Sequence, residues 1–428
     1  MVRRFLEFIK NPTSKHIVIN TVGNYLNVFF VALFALILVR IMTPEQYGVL
    51  SVLLGIAYVL ANIMDFGTTA TIYSYLPPLI DKRSQQGKVY RFIKTTFFYQ
   101  TTLSIIVIVA LFLTFPYLDR VFFKTNAPKV VLYLTAISVL FFIWQNFVAN
   151  ILYSAKKFLK ANLYLNIANV LKTIILLYLI LDRTVSIGTI IFVFGIVGPA
   201  IFFLLLFFEK RDLVFVLLKS EVRREEFRFG YTLTYFFATQ FFNMGLRMDL
   251  FLLSFYGLAA GVGYYGLAQK IILTVATTVI SITQVLSPNF SRTKNKAETK
   301  SNLRTGLIYL SLPFALFILL LLTPDIVYEL FFTDKFSQTA AITRSLVAPF
   351  ILFTIGNLPQ IFILYTAKRP EYILYSNIIF FTLMTVGNLL LIPKFGVFAP
   401  AYVISLSFLI PILILTFATF YEYKKLPA

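Results

Sequence analysis

The sequence predicts an all-α integral membrane protein with about twelve transmembrane helices in two six-helix lobes. Three observations predict it: apolar runs of membrane length, alternation of basic residues between successive loops, and a repeat at half the chain length. The 428 residues are 59% hydrophobic and only 13% charged, with a mean hydropathy of +0.83. A soluble chain carries about 25% charged residues.

A bilayer core needs roughly 20 apolar residues per helix. Apolar runs between charge clusters fall at 17–41, 47–76, 89–115, 130–155, 161–181 and 186–208, and again at 229–255, 261–287, 303–322, 339–365, 371–392 and 396–421. The second run exceeds one crossing and is expected to bend or to continue beyond the membrane. The first is too long for the apolar region of a secretory signal, and no small-residue cleavage site follows it.

The loops test the count. With the N-terminus inside, inner segments such as Lys156, Lys157 and Lys160 carry 26 basic residues, and outer segments such as Arg120 and Lys129 carry 7. That bias predicts an even number of helices with both termini cytoplasmic. It also explains the net charge of +20 without nucleic acid as a partner.

The repeat is explicit. Ile151-Leu-Tyr-Ser-Ala-Lys-Lys157 recurs as Ile363-Leu-Tyr-Thr-Ala-Lys-Arg369, Tyr164-Leu-Asn166 as Tyr375-Ser-Asn377, and Tyr47-Gly48 as Tyr265-Gly266. Six helices per repeat make the halves parallel, 1–214 and 215–428, related by an axis along the membrane normal. The charged stretch 209–228 between them reads as an amphipathic interfacial segment.

Composition removes several chemistries. There is no cysteine and one histidine, His16, so thiolate catalysis, disulfides and a His-based triad or metal centre are excluded. No Walker-type glycine loop and no dense carboxylate constellation is present, so no enzyme activity, metal or cofactor is expected.

Charges within the spans carry the functional reading, because each costs about 2.5–3.5 kcal/mol on insertion scales and needs a partner or water. Arg40, Lys94, Lys172, Arg247, Lys270 and Arg344 stand against Asp65 and Asp249. Arg40 and Lys94 lie near span ends, where they can snorkel. Two stripes at helical spacing accompany the deeper ones: Gln240, Asn243 and Arg247 in the seventh span, and Lys270, Thr274, Thr277 and Ser281 in the eighth. Asn20, Asn24 and Asn27 form a third in the first span. Either the stripes line water and the cations hold an anion such as a diphosphate, or they serve hydrogen bonding and pairing between helices. Asp65 and Asp249 are coupling-ion or gating candidates. The alternative for Asp65 is a helix cap or hydrogen bond, and for Asp249 a helix-locking pair.

Several short motifs carry a resemblance. Arg40-Ile-Met-Thr-Pro44-Glu-Gln-Tyr47-Gly48 follows the first span. Asp65-Phe-Gly67-Thr-Thr lies in the second, Asp249 in the seventh, Gly263-Tyr-Tyr265 opens the eighth, and Leu391-Ile-Pro393-Lys-Phe-Gly396 precedes the twelfth. In this order they resemble the polysaccharide-exporter branch of the multidrug/oligosaccharidyl-lipid/polysaccharide (MOP) superfamily, and Wzx-type flippases in particular. The resemblance implies a V-shaped, two-lobe inner-membrane monomer. Its central cavity would alternate between membrane faces and move an undecaprenyl-diphosphate-linked oligosaccharide outward. It implies membrane lipids, a polysaccharide polymerase and a chain-length regulator as partners. Arg247, Lys270, Arg344, Lys172, Arg40, Asn24 and Asn243 are then the expected substrate contacts. The rival expectations are a proton- or sodium-coupled antiporter of cationic drugs, and a non-transporting scaffold of a glycan assembly complex.

Overall fold

The computed structural model describes residues 12–42, 44–81, 86–123, 125–256, 259–332 and 338–427. All regular structure among them is helical. The chain divides into two compact units, one ending at Arg228 and the other beginning at Phe229.

The first unit holds α1 (Pro12–Ile41), α2 (Pro44–Ile63), α3 (Thr68–Ile80), α4 (Gln86–Leu118), α5 (Lys129–Ser154), α6 (Phe158–Leu181), α7 (Ile187–Phe192) and α8 (Gly198–Lys219). The π-helical turn Val193–Val197 joins α7 to α8. The second holds α9 (Phe229–Phe255), α10 (Ala259–Arg292), α11 (Lys296–Leu322), the short α12 (Asp325–Phe332), α13 (Gln338–Ile361), α14 (Pro370–Phe395) and α15 (Ala399–Lys425). Nine stretches among the described residues are long and apolar enough to cross a membrane, or ten with the α2–α3 pair. One of them, 370–425, contains both α14 and α15. α9, which carries Asn243, Arg247 and Asp249, is not among these stretches but coincides with the seventh expected run.

The over-long second run is bent, one of the two outcomes its length allowed. α2 and α3 meet at 47°. The break falls where Phe66 (φ 49°) and Gly67 (φ 80°) are left-handed, a conformation that glycine adopts without steric cost. The boundary between units falls later than expected. Residue 214 lies inside α8, and the segment that follows stays with the first unit. There the Arg223 N–H donates to Thr95 Oγ1 (3.0 Å), the Phe227 ring packs on Tyr99 (4.8 Å), and Arg228 sits 5.3 Å over the Tyr75 ring. Half the chain length is therefore a poor guide to the break, because a connector folds onto one neighbour.

Each unit has its own core. Phe30, Phe34 and Leu38 of α1 meet Leu50, Leu53, Leu132 and Leu176 in the first. Tyr265, Ile272, Phe350, Phe380, Met384 and Phe408 fill the second, with Phe380 stacked on Phe408 at 5.2 Å. Lipid is as apolar as these side chains, so close packing and hydrogen bonds hold the helices together.

The sequence repeat is a repeat of bonds. Ser154 Oγ donates to the Ile72 carbonyl (3.3 Å), and Thr366 Oγ1 donates to the Phe290 carbonyl (2.8 Å). Asn166 Nδ2 donates to the Gly23 carbonyl (3.2 Å), and Asn377 Nδ2 to the Ala238 carbonyl (2.9 Å). The turns after the motif are alike as well: Lys156 has φ 60° and Lys368 φ 56°. Thus α6 is tied to α1 by the same device that ties α14 to α9. In α1–α6 the device extends into a ladder. Asn162 Nδ2 donates to Asn20 Oδ1 (2.9 Å) and Asn169 Nδ2 to Asn27 Oδ1 (2.8 Å). The stripe on α1 therefore serves interhelical bonding at Asn20 and Asn27, whereas Asn24 is half-buried and lies between these rungs.

Candidate functional site

Asp65 caps a helix. Its carboxylate accepts from the Thr69 N–H (3.3 Å), Thr69 Oγ1 (2.7 Å) and Thr68 Oγ1 (3.0 Å), satisfying a donor that the first turn of α3 leaves open. Asn150 of α5 then donates to Thr69 Oγ1 (2.9 Å), and Tyr73 donates to Asn150 Oδ1 (3.3 Å). Bend, cap and neighbouring helix form one polar unit.

Asp249 is fully buried in the second unit. Its Oδ1 accepts from the Leu250 N–H (2.7 Å), and its Oδ2 accepts from the Tyr265 hydroxyl (2.7 Å) and from Gln269 Nε2 (3.1 Å). Gln269 also donates to the Leu246 carbonyl (3.3 Å). This cluster locks α9 to α10. Sequence reasoning missed Tyr265 and Gln269 as its partners. Their i, i+4 spacing, one on the repeated Tyr-Gly motif, is the signal that could have found them. Asp249→Ala leaves two buried donors without an acceptor, at about 1–3 kcal/mol each. The expected result is a clear fall in the melting temperature of purified protein, with Asp249→Asn much closer to wild type. Equal melting temperatures for Ala and wild type would remove the locking role.

The cations directly flanking that lock face outward. Arg247 precedes Asp249 by two residues and Lys270 follows Gln269, and both side chains are exposed, as is Asn243 one turn before Arg247. Neither cation makes a hydrogen bond from its side chain or a salt bridge among the described residues. The hydroxyls below Lys270 satisfy themselves within α10: Thr274 donates to the Lys270 carbonyl (2.9 Å) and Ser281 to the Thr277 carbonyl (2.9 Å). The polar stripe therefore needs no water of its own. Arg247 lies within electrostatic reach of Asp249 without a salt bridge to it among the described residues.

The other candidates differ. Lys172 is half-buried in the first unit, with Nζ 5.5 Å from the Phe34 centroid and 5.4 Å from that of Phe194. A Cβ at Gly198 would come within 2.7 Å of Lys172 Cδ, so that glycine makes room for the lysine stem. Two ring faces compensate the charge in part, at up to about 2 kcal/mol where water is excluded. Arg344 is engaged: it donates to the Thr323 carbonyl (2.7 Å) and pairs with Asp325 (2.8 Å), closing the end of α11. The Arg40 side chain lies outside the described residues. Among the residues described, no group of three or more His, Cys, Asp or Glu is placed to hold a metal ion.

With this geometry in view, residues 14–294 match the family described as polysaccharide biosynthesis protein, a match that spans α1 to α10. The chain belongs to that family. No curated protein matches it in sequence. Among solved structures it is similar to an outward-facing multidrug resistance MATE family transporter of the MOP superfamily (TM-score 0.75, 12% identity, 97% of this chain and 96% of that one). It is also similar to a MATE transporter in the straight conformation (0.74, 13%, 98% and 99%). A third is a MOP superfamily transporter from Pyrococcus furiosus, described as having a binding pocket of reversed polarity (0.73, 12%, 97% and 98%). At these identities the likeness shows the fold. The family, the apolar helices and the fold together make the chain a multi-pass membrane protein with the fold of these transporters. Arg247, Lys270 and Lys172 fall within the matched region, and Arg344 lies beyond it.

Proposed function

We propose that this protein is a flippase that carries an undecaprenyl-diphosphate-linked oligosaccharide from the cytoplasmic to the outer leaflet of the inner membrane by alternating access. The observation that carries the reading is the pair of exposed cations Arg247 and Lys270, seated on two adjacent helices of a polysaccharide-family fold and without a salt bridge among the described residues. Such cations are retained in a membrane segment only where something answers them. A diphosphate does so with charge-assisted, bidentate bonds. Asn243 stands one turn from Arg247 and adds a neutral donor. Lys172, clamped between rings, and Arg344, already paired, are weaker contacts on this reading.

The antiporter reading asks for a carboxylate offered to a cationic drug. Asp65 and Asp249 are occupied by local donors instead, which favours the anion. The scaffold reading leaves the exposed cations without a reason. A polymerase and a chain-length regulator remain proposed partners.

The test is reconstitution of the purified protein in liposomes with a fluorescent undecaprenyl-diphosphate oligosaccharide, scored by its appearance in the opposite leaflet. Protein-dependent appearance is expected. Folded protein that moves no such lipid, with several head groups tried, would reject the function.

A further inference from the structure

The two repeats share a register of 212 residues near the ends of their helices. Pro199 aligns with Pro411, the start of α7 at Ile187 with the start of α15 at Ala399, and the left-handed Lys156 with Lys368. In this register Lys157 matches Arg369, and Lys210 matches Glu422. The second unit balances its charges at this corner. Glu422 accepts from Lys425 (2.8 Å) and from the Tyr372 hydroxyl (3.2 Å), and Arg369 pairs with Glu371 (3.2 Å). Glu371, and Glu422 behind it, hold the Arg369 guanidinium above its ordinary range.

The first unit has the opposite sign at one position of this register. Lys210 stands where the second unit has its carboxylate. Burial, with the Lys210 and Lys160 ammonium groups next, pushes the Lys157 amine below the usual lysine range. The neighbouring carboxylate, Glu209, is engaged by Lys160. His16 of α1 packs on Phe158 at 5.1 Å and brings Lys15 to the same end. α8 leaves helical geometry at Lys210 (φ −133°, ψ 40°), whereas α15 continues through Glu422 to Lys425.

The position that is acidic in one repeat is thus basic in the other, and with Glu209 engaged by Lys160 an added anion is what would complete the cluster. We propose that this corner of the first unit binds the phosphate of an anionic phospholipid between Lys157 and Lys210. Exposed apolar side chains lead up to it along both packed helices, Leu159 and Leu163 on α6 and Leu204 and Phe208 on α8, Phe208 being 79% exposed. A soluble anion would use the cations alone, while a phospholipid uses the cations with its head group and the apolar faces with its chains. Basic clusters at helix ends hold anionic head groups in this way. The inference is independent of the transported substrate.

The experiment compares wild type with Lys210→Glu and Lys210→Gln, all full-length, in nanodiscs of phosphatidylcholine with and without phosphatidylglycerol. Native mass spectrometry reads retained lipid, and thermal melting reads stability. Wild type is expected to retain phosphatidylglycerol and to melt higher in its presence. Lys210→Gln should retain about fivefold less, the size expected for one lysine at an anionic surface. Lys210→Glu places a carboxylate where the second unit has Glu422. It should retain less still, yet melt higher than wild type in pure phosphatidylcholine. Unchanged retention in both variants would overturn the site. So would retention of an undecaprenyl-diphosphate lipid that excess phosphatidylglycerol does not displace, since the corner would then belong to the transported substrate.

Discussion

Replacing Arg247 and Lys270 together by alanine is expected to reduce flipping of the diphosphate-linked oligosaccharide by on the order of 100-fold or more, each hydrogen bond to a charged group being worth about 1.5–3 kcal/mol. Both side chains are exposed and neither makes a salt bridge among the described residues, so the double variant should fold and melt close to wild type, within roughly 0.5 kcal/mol per site. That separation of transport from stability is the useful feature of the experiment. Lys270→Arg should restore most of the activity. Arg247→Lys should restore less, because an ammonium group lacks the planar fork that grips two phosphate oxygens. Arg344→Ala is the contrasting control: it opens the end of α11 and should lower stability more than transport by folded protein. Wild-type flipping by the double variant would end the phosphate role of both cations.

The second large effect is expected at Gly23. A Cβ there would lie 2.3 Å from Asn162 Cγ. Gly23→Val must therefore displace the amide that donates to Asn20 and shift the carbonyl that accepts from Asn166. Overpacking costs about 1–3 kcal/mol, and each lost interhelical bond adds about 0.6 kcal/mol in a membrane. A large fall in melting temperature and in yield from detergent is the expected outcome. Gly230→Ala, at an exposed position with no heavy atom within 4 Å of the added carbon, should be neutral or slightly stabilising. Equal behaviour of the two variants would show that α1 and α6 are not held by close approach at Gly23.

Much of the fold was legible because membranes impose a coarse and simple rule. Apolar length, loop charge and a half-length repeat each follow from what lipid excludes, and the twelve expected runs are all helical in the structure. The repeat in particular reads through to chemistry: Ser154 and Thr366, and Asn166 and Asn377, make equivalent bonds. The site was less legible. A buried cation and a polar stripe look alike in sequence whether they face a substrate, a ring or a neighbouring helix.

By itself, the sequence determined the helical class, the span positions, that the second run exceeds one crossing, and which few charges the membrane must accommodate. These depend on local composition and on the solvent, and need no partner to be specified. Only the tertiary structure decided what each charge meets. Asp65 became a cap, Asp249 a lock with Tyr265 and Gln269, Lys172 a cation between Phe34 and Phe194, and Arg344 a tie to Asp325. Arg247 and Lys270 were left exposed. Hydrogen bonds and ion pairs act over about 3 Å, a distance at which residues far apart in the chain compete equally with near ones, so packing alone assigns the partner.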